Sequence, residues 1–261
     1  MAHQLGQGMS HSHTVKIGTK TYTTSTYTDP APVPGPYTLD LEFEGSTLDL
    51  RLVPLWSSSD PGDRLDTDAR AAITMAQVSQ ANGIMTLACE RKATPSGRPF
   101  AGATISTYGT FSQRYGTFET RMRYDEAKGT WPSWFFLPVG QKAPYPEIDA
   151  MESYGDSACL GPGFTENVVH YAGETTADYA VVPLANSSGW HVHKFVWTPS
   201  RVDFYIDGVN TFSVTNPAHV PQVPMYPIYT FGVGANQPSC RADASTPAYL
   251  SMQVDYLRVS A

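Results

Sequence analysis

From Tyr37 onward, apolar residues fall into short runs rich in β-branched and aromatic side chains, broken by polar turn residues. The runs are YTLDLEF, NGIMTLACERK, YGTFETRMRYD, ENVVHYAG, WHVHKFVWT, RVDFYIDG, MYPIYTFGVGA and YLSMQVDYLRVSA. Asn82-Gly83, Thr198-Pro199-Ser200 and Asp207-Gly208 supply turn chemistry between several of them. Strands in quick succession, with no regular alternation of strand and helix, predict an all-β fold: two packed antiparallel sheets forming a sandwich or jelly roll. One stretch stays open, because DTDARAAITMAQVSQA (residues 66–81) suits a short helix and a further strand equally. Residues 1–36 are Thr-rich and end in DPAPVPGP, whose closely spaced prolines favour an extended, semi-rigid segment. The expected division is a tail or linker over 1–36 and one β domain over 37–261.

Composition narrows the partners. The chain has 261 residues, enough for a sizeable core. Its 21 glycines and 21 prolines exceed the ~12% combined share of ordinary globular chains and imply many turns. A net charge of −7 argues against nucleic acid or an anionic membrane surface as a general partner, since both demand a basic face. Charged residues are only 16%, while Ser, Thr and Tyr are plentiful, which suits hydrogen bonding to neutral polar ligands. No run of 18 apolar residues is present, so no membrane-spanning helix is expected. The N-terminal MAHQLGQGMSHSHTVK lacks the 7–15-residue apolar run of a signal peptide, as a mature chain carrying a new Met would. Cys89, Cys159 and Cys240 match no C-x-x-C spacing. Cys89 has the setting of a buried thiol, and Cys159 and Cys240 lie in Gly/Pro/Ser-rich segments where a disulfide could form. No G-x-S-x-G elbow, Walker loop or H-E-x-x-H occurs, and GVGANQ lacks the third glycine of a dinucleotide loop.

Candidate chemistry concentrates in EIDAME, residues 147–152. Glu147 and Asp149 are two apart and share a face of any strand, but Glu152 is an odd offset away and would face oppositely. One extra residue, a β-bulge between Asp149 and Glu152, would restore its parity, and bulges cluster beside active sites. Ile148, Ala150 and Met151 have the apolar character of residues turned inward, and GTWPSWFFLP upstream is dense in aromatics on which sugar rings stack. Three carboxyls crowded on one face resist simultaneous ionisation. Glycoside hydrolysis needs that division, one ionised carboxylate and one carboxylic acid, and a ~5–5.5 Å separation goes with the retaining mechanism.

The run YGTFETRMRYDEAKGTWPSWFFLP, then PEIDAMESYG, then WHVHKFVWTPSRVDFYIDGV closely resembles glycoside hydrolase family 16. MYPIYTFGVGANQP and MQVDYLRVS fit as well, and LEFEGSTLD and NGIMTLACERK more weakly, so that the match covers roughly residues 38–261. The resemblance implies a β-jelly roll with a sugar-binding cleft on its concave sheet, and the bulged six-residue acidic motif found in laminarinases, agarases and carrageenases. It implies Glu147 as nucleophile, Glu152 as general acid/base and Asp149 as the residue that holds the nucleophile. For substrate binding it points to Trp131, Trp134, Glu119, Arg121, Glu166, His170, Asn236 and Tyr145. No cofactor is required, and a structural calcium is compatible with the resemblance without ligands being assigned. His191 and His193 have the i, i+2 spacing of a strand metal pair but fall in ordinary outer-strand sequence. Trp197 fits the core.

Departures bear on substrate. Gln237-Pro238 stands where many laminarinases carry Trp-Pro, and Tyr145 where a tryptophan is common. The expected activity is endo-hydrolysis of a neutral β-linked polysaccharide by a monomer outside the cell, with β-1,3-glucan leading. A β-galactan or another algal or bacterial polysaccharide stays open, as do transglycosylation and, behind both, a non-catalytic carbohydrate-binding module.

Overall fold

The computed structural model describes residues 36–54, 71–140, 146–155, 162–171, 176–234 and 241–261. Nearer the N-terminus it describes only short strand backbones, β1 (Ser10–His11) paired with β4 (Tyr27–Thr28) and β2 (Thr14–Ile17) paired with β3 (Lys20–Thr23). The proline-rich DPAPVPGP, on which the expected tail or linker over 1–36 rests, lies outside the described residues except for Pro36.

The main body follows as β5 (Tyr37–Leu41), β6 (Val53–Pro54), β7 (Ala71–Ile73), β8 (Val78–Ala81), β9 (Ile84–Arg91), β10 (Phe100–Ser106), β11 (Gly116–Tyr124) and β12 (Thr130–Pro138). It continues through β13 (Glu147–Glu152), β14 (Phe164–His170), β15 (Ala177–Pro183), β16 (His191–Thr198), β17 (Arg201–Ile206), β18 (Val209–Val214), β19 (Met225–Val233) and β20 (Tyr249–Ser260). Every expected run lies on one of these strands. The described part of the ambiguous segment, residues 71–81, forms β7, a 3-10 turn over Met75–Gln77 and β8. Asn82-Gly83 and Asp207-Gly208 are two-residue hairpin loops with φ of 55° and 76°, and of 49° and 81°. Both positions of such a turn need positive φ, which is why Asn-Gly and Asp-Gly are found there.

Pairing in the order β15-β14-β13-β12-β19-β10 makes one sheet, and β9-β20-β11-β16-β17-β18 makes the other. Apart from a short parallel contact between β7 and β10, the pairs are antiparallel. Strand β10 belongs to both sheets: Phe100 and Ala101 pair with β9, then Ala103 to Ser106 pair with β19. Gly102 sits at the transfer, where a Cβ would lie 2.7 Å from the Phe231 carbonyl oxygen and 3.1 Å from Gly232 Cα. No side chain fits there without the chains parting.

The inward faces meet in an aromatic core. Phe118 of β11 packs edge-on to Phe136 of β12 at 5.2 Å, and Phe195 of β16 meets Phe136 at 4.9 Å and Trp134 at 5.9 Å. One buried polar chain runs among these rings: Tyr229 Oη donates to Thr120 Oγ1 (2.8 Å), which donates to the Tyr256 carbonyl (2.7 Å). The result is a jelly-roll sandwich, with the β13 sheet carrying a cleft on its outer face.

Candidate active site

Strand β13 is built by a parity conflict and its relief. Opposite β14, Asp149 pairs with Val168 and Glu152 with Glu166, so three steps on β13 face two on the partner. On the other side, Trp134 pairs with Met151 and Phe135 with Asp149, again leaving one residue extra on β13. This is the β-bulge that the spacing required. Ile148, Ala150 and Met151 are buried, as their apolar character demands, while Glu147, Asp149 and Glu152 all line one cleft of about 490 Å³.

The cleft crosses four strands. Trp131 comes from β12, the three acids from β13, Glu166, Val168 and His170 from β14, and Ala177 and Tyr179 from β15, with Tyr154 just beyond β13. Glu152 is held by the Trp131 indole N–H, which donates to its Oε1 at 2.5 Å, by Ser133 Oγ at 3.5 Å, and by a hydrogen bond with Tyr154. Asp149 shares a hydrogen bond with Glu147, and its Oδ2 lies 3.1 Å from His170 Nε2.

Burial dominates the electrostatics. It pushes Asp149 well above the usual carboxylate range, and the charges of Glu152 and Glu166 push the same way, against the hydrogen bond with Glu147. Burial also raises Glu152, opposed by its bonds from Trp131, Tyr154 and Ser133 and by His170. Glu166, which pairs directly with Glu152 across the strands, is raised by burial and by the Glu152 charge. The cleft thus crowds three carboxyls of raised proton affinity together, with Asp149 hydrogen-bonded to Glu147.

Several expected binding residues are elsewhere. Trp134 is fully buried, stacked on Tyr229 and packed against Phe136 and Phe195. It lies three residues from Trp131, so the two point to opposite faces, and its expected role at a subsite is corrected to a core role. Glu119 and Arg121 stand on β11 of the other sheet, facing away from the core residues Phe118 and Thr120. There Glu119 accepts from Tyr256 Oη (2.9 Å), and Arg121 pairs with Asp255 (2.6 Å) under the Trp190 ring. They are surface partners, not cleft residues. Tyr145, Asn236, Gln237-Pro238, Cys159 and Cys240 lie outside the described residues.

His191 binds Asp207 (2.7 Å) and the Asn186 carbonyl (3.0 Å), while His193 turns into the core, so the two rings do not converge on a metal. Among the described residues no group of His, Cys, Asp and Glu could hold a metal ion, and the calcium compatible with the resemblance gains no ligands. Cys89 is a buried free thiol whose pKa burial pushes up to about 12, and Trp197 is core.

Sequence reasoning missed Tyr154 and Tyr179. Tyr154 was legible in principle, two residues beyond Glu152 and thus of its parity. Tyr179 was not, because ADYAVVP was not among the recognised strand runs.

A family model described as "Glycosyl hydrolases family 16" matches residues 65–257. The endo-1,3-1,4-beta-glycanase ExsH of Rhizobium meliloti is 28% identical over 186 residues, covering 68% of this chain and 38% of that protein. The glucan endo-1,3-beta-glucosidase A1 of Niallia circulans is 28% identical over 189 residues, covering 61% of this chain and 26% of that one. The chain therefore spans well under half the length of these relatives. Among solved structures, the endo-beta-1,3-glucanase of Pyrococcus furiosus superposes with a TM-score of 0.75 at 20% identity, covering 95% of this chain and 97% of that one. At that identity the likeness speaks for the fold.

Proposed function

The chain belongs to glycoside hydrolase family 16, and from that premise we propose that it is an endo-acting, retaining hydrolase of β-1,3-glucan. Glu147 attacks the anomeric carbon while Glu152 protonates the departing glycosidic oxygen. Glu152 then takes a proton from the incoming water, whose oxygen displaces Glu147 and releases the sugar with its configuration retained. Asp149 is hydrogen-bonded to Glu147 and holds it in place, and is itself oriented by His170. The observation that carries this reading is the bulge, which brings three acids of conflicting parity to one cleft.

Charge favours a neutral glycan. The described lining has four carboxyl side chains, Glu147, Asp149, Glu152 and Glu166, and no lysine or arginine. A sulfated galactan would meet repulsion there, whereas a glucan presents hydroxyls to acceptors and apolar ring faces to Tyr154 and Tyr179. The relatives named for 1,3- and 1,3-1,4-linked glucans point the same way. We expect the enzyme to act as a monomer outside the cell.

A screen of laminarin, lichenan, agarose, carrageenan and galactans with reducing-end detection, followed by NMR of the first product anomer, tests the proposal. Laminarin should release an oligosaccharide ladder whose new ends are initially β. Inverted first product, or cleavage confined to galactans, would overturn the mechanism or the substrate respectively.

A further inference from the structure

Both tryptophans expected to stack on sugars are committed elsewhere. Trp134 is sealed in the core, and Trp131 is tied by its indole N–H to Glu152 with its ring 5.6 Å from that of Tyr154. Tyr179 is different. It lines the cleft, is 64% exposed, and its side chain makes no hydrogen bond or ring contact among the described residues.

Its position follows from the register. Asp149 pairs with Val168, and Val168 pairs with Tyr179, so the three stand in a row across the sheet on one face. Two strand spacings place Tyr179 ~10 Å from Asp149, along the direction in which the cleft crosses the strands. Strand β15 is the outermost of this sheet, and its cleft face continues from Ala177 through Tyr179 to Val181, itself 43% exposed. Exposed apolar side chains in a row on an edge strand invite aggregation unless something covers them. A pyranose offers a matching surface, with C–H groups on the ring face and hydroxyls around its rim.

We propose that Tyr179 is the stacking platform of a distal subsite, so that a neutral glucan chain runs from the acids over Val168 onto β15. The inference rests on the hydrolase reading and adds where the chain exits the catalytic row. Its signature is dependence on chain length. A glucan long enough to reach β15 gains the aromatic contact, and a shorter one does not.

The test is kcat/KM for β-1,3-gluco-oligosaccharides of increasing length with wild type, Tyr179→Ala and Tyr179→Phe, alongside thermal unfolding of each. Tyr179→Ala should lose about threefold to tenfold on the longer oligosaccharides, the worth of one aromatic face. It should match wild type on the shortest one cleaved, and Tyr179→Phe should stay near wild type throughout. Affinity of the Glu147→Gln and Glu147→Gln/Tyr179→Ala proteins for the same series by calorimetry should split at the same length. An equal loss at every length, no loss at any, or a Phe variant as weak as Ala would overturn the subsite while leaving the hydrolase reading intact. A wild-type protein inert on every β-glucan would overturn both.

Discussion

Glu152 stands among groups that pull its proton affinity in opposite directions. Burial favours the acid form, while Trp131, Tyr154, Ser133 and His170 favour the carboxylate. The groups facing it are Glu147 and Asp149 on its own strand, Glu166 and His170 on β14, and Tyr154 beyond the strand end. Glu166 is its direct cross-strand partner, and its side chain makes no ion pair or hydrogen bond among the described residues. Replacing it by Gln removes a like charge and should move the alkaline limb of kcat/KM, which reports the free acid/base, to lower pH at low salt. The shift should shrink in high salt, and Glu119→Gln on the opposite sheet should leave the limb unmoved. Roles at Glu147 and Glu152 separate by chemistry: Glu147→Gln should abolish turnover with folding retained. Glu152→Ala should regain cleavage of activated aryl glycosides with azide, since such a leaving group needs no proton.

At the scale of the strand, the bulge in β13 decides which face receives Glu152. Deleting Ala150 leaves Glu147, Asp149 and Glu152 alternating regularly with Ile148 and Met151, so the acids keep one face and the fold should survive. Inserting one further residue after Ala150 also makes the interval even, but it slides Glu152 along the strand past its partner Glu166 and away from Glu147 and Asp149. That variant should be inactive and should unfold at a lower temperature, because the register of β13 against β12 and β14 is disturbed. Strand β12 shows the same rule in its tryptophans. Trp134→Ala empties a core site and should cost ~3–5 kcal/mol in denaturant unfolding, whereas Trp131→Phe should spare stability and disturb activity through the lost hydrogen bond to Glu152.

For the molecule as a whole, the site trades stability for reactivity. Asp149, Glu152 and Glu166 bind protons more tightly folded than unfolded. The stability this contributes is complete below the ordinary carboxyl range and is lost as pH rises through the raised values. His193 acts at the other end: buried without a hydrogen bond from either ring nitrogen, it is lowered from 6.5 to about 3. Its contribution is complete above pH 6.5 and drains away as pH falls toward 3. Melting temperatures across pH should therefore fall on both sides of a mildly acidic maximum. Asp149→Asn should raise the alkaline side while slowing turnover, and His193→Phe should flatten the acid side. An Asp149→Asn protein no more stable than wild type at pH 8 would contradict the strain assigned to that carboxyl.

Sequence by itself determined what depends on neighbours along the chain. Runs such as WHVHKFVWT and RVDFYIDG specify strands, Asn82-Gly83 and Asp207-Gly208 specify their turns, and the five-residue interval from Glu147 to Glu152 demands a bulge if the acids are to act together. It also held an unused clue, since the odd interval between Trp131 and Trp134 already forbids both from facing one cleft. Tertiary structure alone decided which sheet each face belongs to. Glu119 and Arg121 share parity with each other and still lie on the far side of the sandwich, because β11 pairs with β16 and β20. Glu166 and Tyr179 enter the cleft only because β14 and β15 pair in sequence beside β13. Strand parity is a local property of the backbone, whereas the order of strands in a sheet is set by contacts between residues far apart in the chain.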